Sequence, residues 1–200
     1  WDYNPHAYDE LTDKTLDNIA CNDKQIRMLL EEMTGYTMFR RNELGKAFIL
    51  TGQGSNGKST LLNMLKHMLG RRNVSVLDMN KLNDRFSTVM LFGKLANIGD
   101  DISEEFINDT AEFKKIVTGE TIDAEQKGQP KFQFEPYVKL LFSANSIPRM
   151  GKGRDSRALL RRLIIVPFNA TFSPDDPDYV PFIGDKLKTQ DAMEYLIQLG

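Results

Sequence analysis

The sequence predicts an α/β fold in which a central, mainly parallel sheet is flanked by helices. Three observations predict it. The glycine-rich stretch "TGQGSNGKST" (51–60) lies between a short apolar run and a helical pattern. Apolar runs of strand length alternate with helical periodicities through the middle of the 200-residue chain. A hydrophobic content of 40% suits one globular core with a small helical annex.

The elements follow in order. Residues 1–22 read as acidic and turn-like. Asn22 or Asp23 caps a helix whose Ile26, Leu29, Leu30 and Met33 follow the i, i+3, i+4, i+7 rule. "KAFILTG" (46–52) is a buried strand feeding a loop, and "STLLNMLKHML" (59–69) is a helix that Gly70 stops. The methionines of 28–38 and 64–68 read as core filler. A strand is expected at 94–99, a helix at 104–117, a hairpin at 121–135, and strands at 137–143 and 163–168. "SPDDPD" (173–178) is a loop, and the closing "KLKTQDAMEYLIQLG" is helical. These elements divide the chain into an N-terminal helical element (1–42), an α/β core (43–170), and the start of a C-terminal helical region (171–200).

Composition excludes several classes. One cysteine, Cys21, forms no intrachain disulfide, and no apolar run approaches the length of a bilayer span, so a cytoplasmic location is expected. A chain starting at Trp1 is expected to be a piece of something longer. The net charge of −2 hides segregation: residues 99–125 carry nine acids against Lys114 and Lys115, whereas residues 151–162 carry five bases against Asp155. Segregation leaves nucleic acid open as a partner, because only the surface facing the phosphates must be basic. His6 and His67 are isolated and invite no catalytic role.

Gly52-x4-Gly57-Lys58-Ser59 fits the phosphate-loop pattern in full. Glycines at 52, 54 and 57 let backbone N–H groups turn inward, with Ser55, Asn56 and Thr60 completing the cradle for ATP. Lys58 reaches the β- and γ-phosphates, Ser59 ligates Mg²⁺, and the helix that starts there points its positive end at the anion. The site also needs carboxylates at the end of a neighbouring strand. "LANIGDD" supplies Asp100 for the metal and Asp101 for the base, with Glu104 and Glu105 as rivals. Further on, Lys127 and Lys131 bracket a Gly-Gln-Pro turn (128–130) near a hairpin tip, with Phe132 and Phe134 on one strand face. "LLFSANSIP" is a buried strand ending near Asn145. Arg161 and Arg162 immediately precede a β-branched strand that cannot bury both.

In order, "GQGSNGKST", "KLANIGDDI", "FKKIVTGETIDAEQKGQPKFQF" and "VKLLFSANSIPR" followed by "RALLRRLIIVPF" resemble superfamily 3 helicases of the AAA+ class. The resemblance covers 46–168 and is closest to the helicase part of phage and plasmid primase-helicases related to the poxvirus enzyme. It implies a P-loop ATPase working as a hexameric ring in DNA replication, in a bacterial host's cytoplasm, with a primase region upstream and 3′→5′ travel. It also implies roles: Asn145 as the sensor that orients the attacking water, and Lys127 and Lys131 as pore lysines gripping the DNA backbone. Arg162 matches the arginine finger inserted into the neighbour's ATP site, with Arg157 and Arg161 as alternates. Where the family often carries glutamate, this chain has Asp101. Two other readings compete. One is a nucleotide kinase whose Arg154, Arg157, Arg161 and Arg162 form a phosphate-clamping lid. The other is a non-translocating DNA switch.

Overall fold

The computed structural model describes residues 1, 3–84, 86–102, 111–147 and 154–200, and for 100, 101 and 154–156 the backbone alone. Helices α1 (Glu10–Ile19) and α2 (Lys24–Met38) lead into β1 (Ala47–Thr51) and α3 (Lys58–Leu69). Then come β2 (Val74–Ser75), β3 (Ala96–Asp101), α4 (Ala111–Thr118), the hairpin strands β4 (Ile122–Ala124) and β5 (Phe132–Phe134), and β6 (Lys139–Ala144). The chain closes with α5 (Arg154–Leu160), β7 (Leu163–Pro167), α6 (Ile183–Lys186) and α7 (Gln190–Leu199). Residues 104–110 of the helix expected at 104–117 lie outside the described residues.

The expected α/β fold is present. Five parallel strands form the sheet in the order β2-β3-β6-β1-β7. Alternate residues of each strand face opposite layers. Phe48, Leu50, Ile98, Leu141 and Val166 join Leu16, Leu30, Leu61, Leu65 and Met193 on the face covered by α1, α2, α3 and α7. Leu140 and Phe142 join Phe113, Ile116, Ile122 and Leu159 on the face covered by α4, α5 and the hairpin.

Three expectations need correction. Residues 10–19 are helical, not turn-like. Asp9 accepts the N–H of Thr12 at 2.8 Å and caps the helix. The buried face of α1 is Thr12, Thr15, Leu16 and Ile19, so threonines at two core positions mask the apolar period. Met28 is 58% exposed and fills no core, unlike Met33, Met64 and Met68. The hairpin turns one or two residues earlier than the Gly-Gln-Pro reading: the Gln129 N–H donates to the Gln126 carbonyl at 3.0 Å, and Gly128 takes the left-handed conformation. The α2 cap is as expected, with the Asp23 carboxylate accepting from the N–H groups of Gln25 and Ile26.

Because every strand of the sheet runs the same way, the molecule has two unlike edges. One carries the strand ends Thr51, Asp101, Ala144 and Pro167. The other carries the strand starts Ala47, Ala96, Lys139 and Leu163.

Candidate functional site

The glycine-rich loop leaves the C-terminal end of β1, a position where parallel sheets present their ligand crevice. It is locked by backbone contacts: Gly52 N–H donates to the Ala144 carbonyl at 3.2 Å, and Phe172 N–H to the Ser55 carbonyl at 2.8 Å. A Cβ on Gly52 would come within 2.3 Å of the Phe168 carbonyl oxygen. Gly57 has φ +88°, and a Cβ there would meet Ile19 at 2.6 Å. Both positions therefore need glycine.

Asn56 is buried and works in both directions. Its amide nitrogen donates to the Phe168 carbonyl at 3.4 Å, and its oxygen accepts the Lys58 N–H at 3.2 Å. The Lys58 side chain is buried too, its ammonium donating to the Gly52 carbonyl inside the loop. Gly54, Ser55 and Ser59 are exposed, and Thr60 is half-buried. The N-cap of α3 is Gly57, which offers the first turn no capping side chain. Its orphan N–H groups, the helix dipole and a lysine folded into the loop suit a bound polyphosphate.

Two further predicted groups meet the loop at the same edge. β3 and β6 pair Gly99 with Phe142 and then Asp101 with Ser143, so Asp100 is the extra residue of a bulge at the strand end. Asn145 follows Ala144 on β6, the strand between β3 and β1, and is exposed. The loop, the Asp100/Asp101 pair and Asn145 thus stand on three adjacent strands. Glu104 and Glu105 lie outside the described residues.

The arginines are elsewhere. Arg161 and Arg162 precede β7 at the opposite edge, where the Arg162 carbonyl accepts the Ala47 N–H at 2.8 Å and the Arg161 carbonyl accepts from the Lys46 ammonium at 2.6 Å. The half-buried Arg162 guanidinium donates to the Ala158 carbonyl at 2.8 Å, and its Nε is buried with no partner among the described residues. Arg157 is exposed on the last turn of α5. A five-residue strand puts roughly 16 Å between Arg162 and its own phosphate loop. Arg161 and Arg162 are therefore unsuited to a lid over that loop, as the kinase reading requires.

The hairpin stands on the sheet face shared with α4. Its register, Ile122 opposite Phe134 and Ala124 opposite Phe132, sorts its side chains between two faces. Phe132 and Phe134 pack edge-on against Phe92, each with ring centroids 5.2 Å away. Lys127 and Lys131 are both exposed.

Sequence reasoning missed Lys139, which is 1% exposed at the start of β6. Its ammonium donates to the carbonyls of Phe39 at 2.6 Å and Tyr137 at 2.7 Å, and lies 4.5 Å from the Tyr36 ring centroid. Burial lowers its pKa from 10.5 to about 8. The only signal was a lysine adjoining an apolar run, which reads equally as a strand end at the surface.

The model of a family described as of unknown function, DUF5906, matches residues 50–162. The proposed helicase L207/L206 of Acanthamoeba polyphaga mimivirus is 27% identical over 157 residues, covering 75% of this chain and 16% of that protein. The proposed helicase 184R of Invertebrate iridescent virus 6 is 27% identical over 142 residues, or 65% of this chain and 14% of that protein. The apo C-terminal region of NrS-1 superposes with a TM-score of 0.78 at 17% identity, covering 99% of this chain and 47% of that one. JCV helicase, solved with a small molecule bound, gives 0.50 at 14% identity, covering 97% and 54%. The chain thus spans a small part of the curated relatives and about half of the NrS-1 region. Its fold is of the superfamily 3 helicase type, as the sequence resemblance implied. Among the described residues, no helix is long and apolar enough to cross a membrane.

Proposed function

The chain belongs to DUF5906, a family of unknown function, and from that premise we propose that it is the ATP-hydrolysing motor domain of a ring-forming DNA helicase. One observation carries the reading. The phosphate loop, Asp100/Asp101 and Asn145 share one sheet edge, while Arg162 stands at the other. An arginine so placed completes a nucleotide site only when a second copy stacks head to tail, which is how closed rings form. The helical segments 1–42 and 171–200 flank the core 43–170, and residues 22–40 help subunits pack. The helicase names of the two viral relatives support the helicase reading, and the proposal places the chain in the replication of a phage or mobile element in the host cytoplasm.

In this reading the loop N–H groups and the Lys58 ammonium bind the triphosphate. The ammonium exchanges the Gly52 carbonyl for phosphate oxygens. Ser59 and Asp100 would hold Mg²⁺, which would offset charge on the β- and γ-phosphates. Asn145 orients a water, and Asp101 takes its proton as the water oxygen attacks the γ-phosphorus. The bond to the β-γ bridging oxygen breaks, leaving ADP and phosphate. The neighbour's Arg162 offsets charge on the transferred group. The accompanying subunit shift moves the 121–135 hairpin, whose Lys127 and Lys131 hold phosphates without reading sequence. Lys58→Ala should reduce ATP turnover and strand separation to background while leaving the fold's circular dichroism unchanged. Turnover retained in that variant would refute the site.

A further inference from the structure

The segment before β1 reaches the strand-start edge with Arg40, Arg41 and Lys46 against one acid, Glu43. It is held stiffly there, because the buried Asn42 amide donates to the carbonyls of Ile116 at 2.8 Å and Pro136 at 3.1 Å. Arg40 rests over the Tyr137 ring, 5.7 Å from its centroid, and Arg41 pairs with Glu43 at 3.1 Å with both side chains exposed. Neither contact exhausts the five donors of a guanidinium. Leu44, 65% exposed, and the exposed Phe39 add apolar surface beside the two arginines.

The strand-end edge carries the opposite charge. After β7 the chain passes the glycine-rich loop, where the Phe172 N–H meets the Ser55 carbonyl, and enters "SPDDPD" (173–178), three acids without a base. This stretch is preshaped as well. Asp176 accepts the Ser173 N–H at 2.7 Å, the Ser173 hydroxyl accepts the Asp175 N–H at 3.2 Å, and Pro174 and Pro177 restrict the backbone. Asp175 and Asp178 are exposed, and Lys14, the base that feels Asp178, is paired with Glu10 at 2.6 Å. Phe182, 83% exposed, follows a few residues on.

We propose that these two segments are the halves of a charge-keyed contact between copies, in which Arg40 and Arg41 of one copy receive Asp175 and Asp178 of the next. The inference rests on the head-to-tail ring of the proposed function and names what sets its order. Stacking that carries Arg162 to a neighbour's loop turns the strand-start edge of one copy toward the strand-end edge of the next. Stiff segments of opposite sign then face each other. Unlike charges fix partner and orientation, and like charges disfavour the reversed stack, in which each edge would meet its own kind. The exposed apolar side chains on both segments supply surface to bury.

Sedimentation velocity of the whole protein with Mg²⁺, a non-hydrolysable ATP analogue and oligo(dT) tests the contact. Two charge-reversed proteins are compared, Arg40→Glu/Arg41→Glu and Asp175→Lys/Asp178→Lys, with Asp176 kept because it shapes its loop. Each should need about ten-fold more protein than wild type to assemble. Mixed in equal amounts they should assemble near the wild-type concentration, because every seam of an alternating ring then joins unlike charges. Reversed proteins that assemble like wild type overturn the proposal, and so does a mixture no better than its parts. If a reversed protein loses its folded circular dichroism, the neutral Arg40→Gln/Arg41→Gln and Asp175→Asn/Asp178→Asn proteins replace the pair. Each should assemble a few-fold more weakly and with a flatter dependence on salt; assembly unchanged in both overturns the proposal. A wild-type protein that stays a single copy under these conditions removes the ring reading, and this contact with it. Wild-type assembly indifferent to all four charges removes only the contact.

Discussion

Lys139 places a charge where the hydrophobic layers begin, and three oriented partners hold it there: two carbonyls and the face of Tyr36. The cost of removing the ammonium from water lowers its pKa from 10.5 to about 8. The sign follows from proton counting. Below about pH 8 both states hold the proton and the desolvation cost is felt in full; between about 8 and 10.5 the unfolded chain binds more protons, so stability rises with pH. Relative to Lys139→Met, the wild type should gain up to about 1.4 kcal/mol per pH unit in that window. Urea unfolding of both proteins at neutral pH and near pH 9.5 checks it; parallel pH profiles would show that the ammonium carries no such cost. A buried lysine of this kind was not legible in the sequence, because nothing in "YVKLLF" says which end of the strand meets solvent.

The helices α1, α2 and α7 are tied by one residue. Arg27, with 13% of its side chain exposed, pairs with Asp13 at 2.8 Å, Asp17 at 2.7 Å and Glu31 at 2.7 Å, and Asp13 also accepts from the Tyr195 hydroxyl at 2.7 Å. The Tyr195 bond, opposed by burial and aided by Arg27, holds the Asp13 carboxyl below its ordinary range, while burial and Asp13 push the Tyr195 hydroxyl up to about 12. Arg27→Met should strand these acids and cost about 2 kcal/mol in urea unfolding, between the values for exposed and fully buried pairs; a loss within a few tenths would make the cluster surface decoration. Elements such as α2, β1 and α3 were legible because period and flanking cap or glycine agreed, and the hairpin was legible in its two strands although its turn falls earlier than Gly-Gln-Pro. α1 was hidden by its buried threonines, and the two-residue β2 is too short to show a period. α5 lies in a basic stretch that reads first as a charge patch.

At the scale of the molecule, the parallel sheet separates the glycine-rich loop from Arg162, the two groups that the proposed function brings together across copies. The conformation of the glycine-rich loop was legible, since the close-packed Gly52 and Gly57 and the inward Lys58 each demand one residue type. The separation of Arg162 from that loop was not, because strand order and direction decide which edge a residue occupies, and neither is written in spacing along the chain. That separation is the centre of the proposed function, in which hydrolysis takes place where one copy's loop meets the next copy's Arg162. It is tested most directly by mixing two inactive proteins, Arg162→Ala and Asp101→Ala, and measuring ATP turnover. In a mixed ring some seams join an intact loop and acid pair to an intact arginine, so turnover should return well above that of either protein alone. Turnover no higher than the two separate backgrounds, under conditions where the copies demonstrably co-assemble, would contradict a site shared between neighbours.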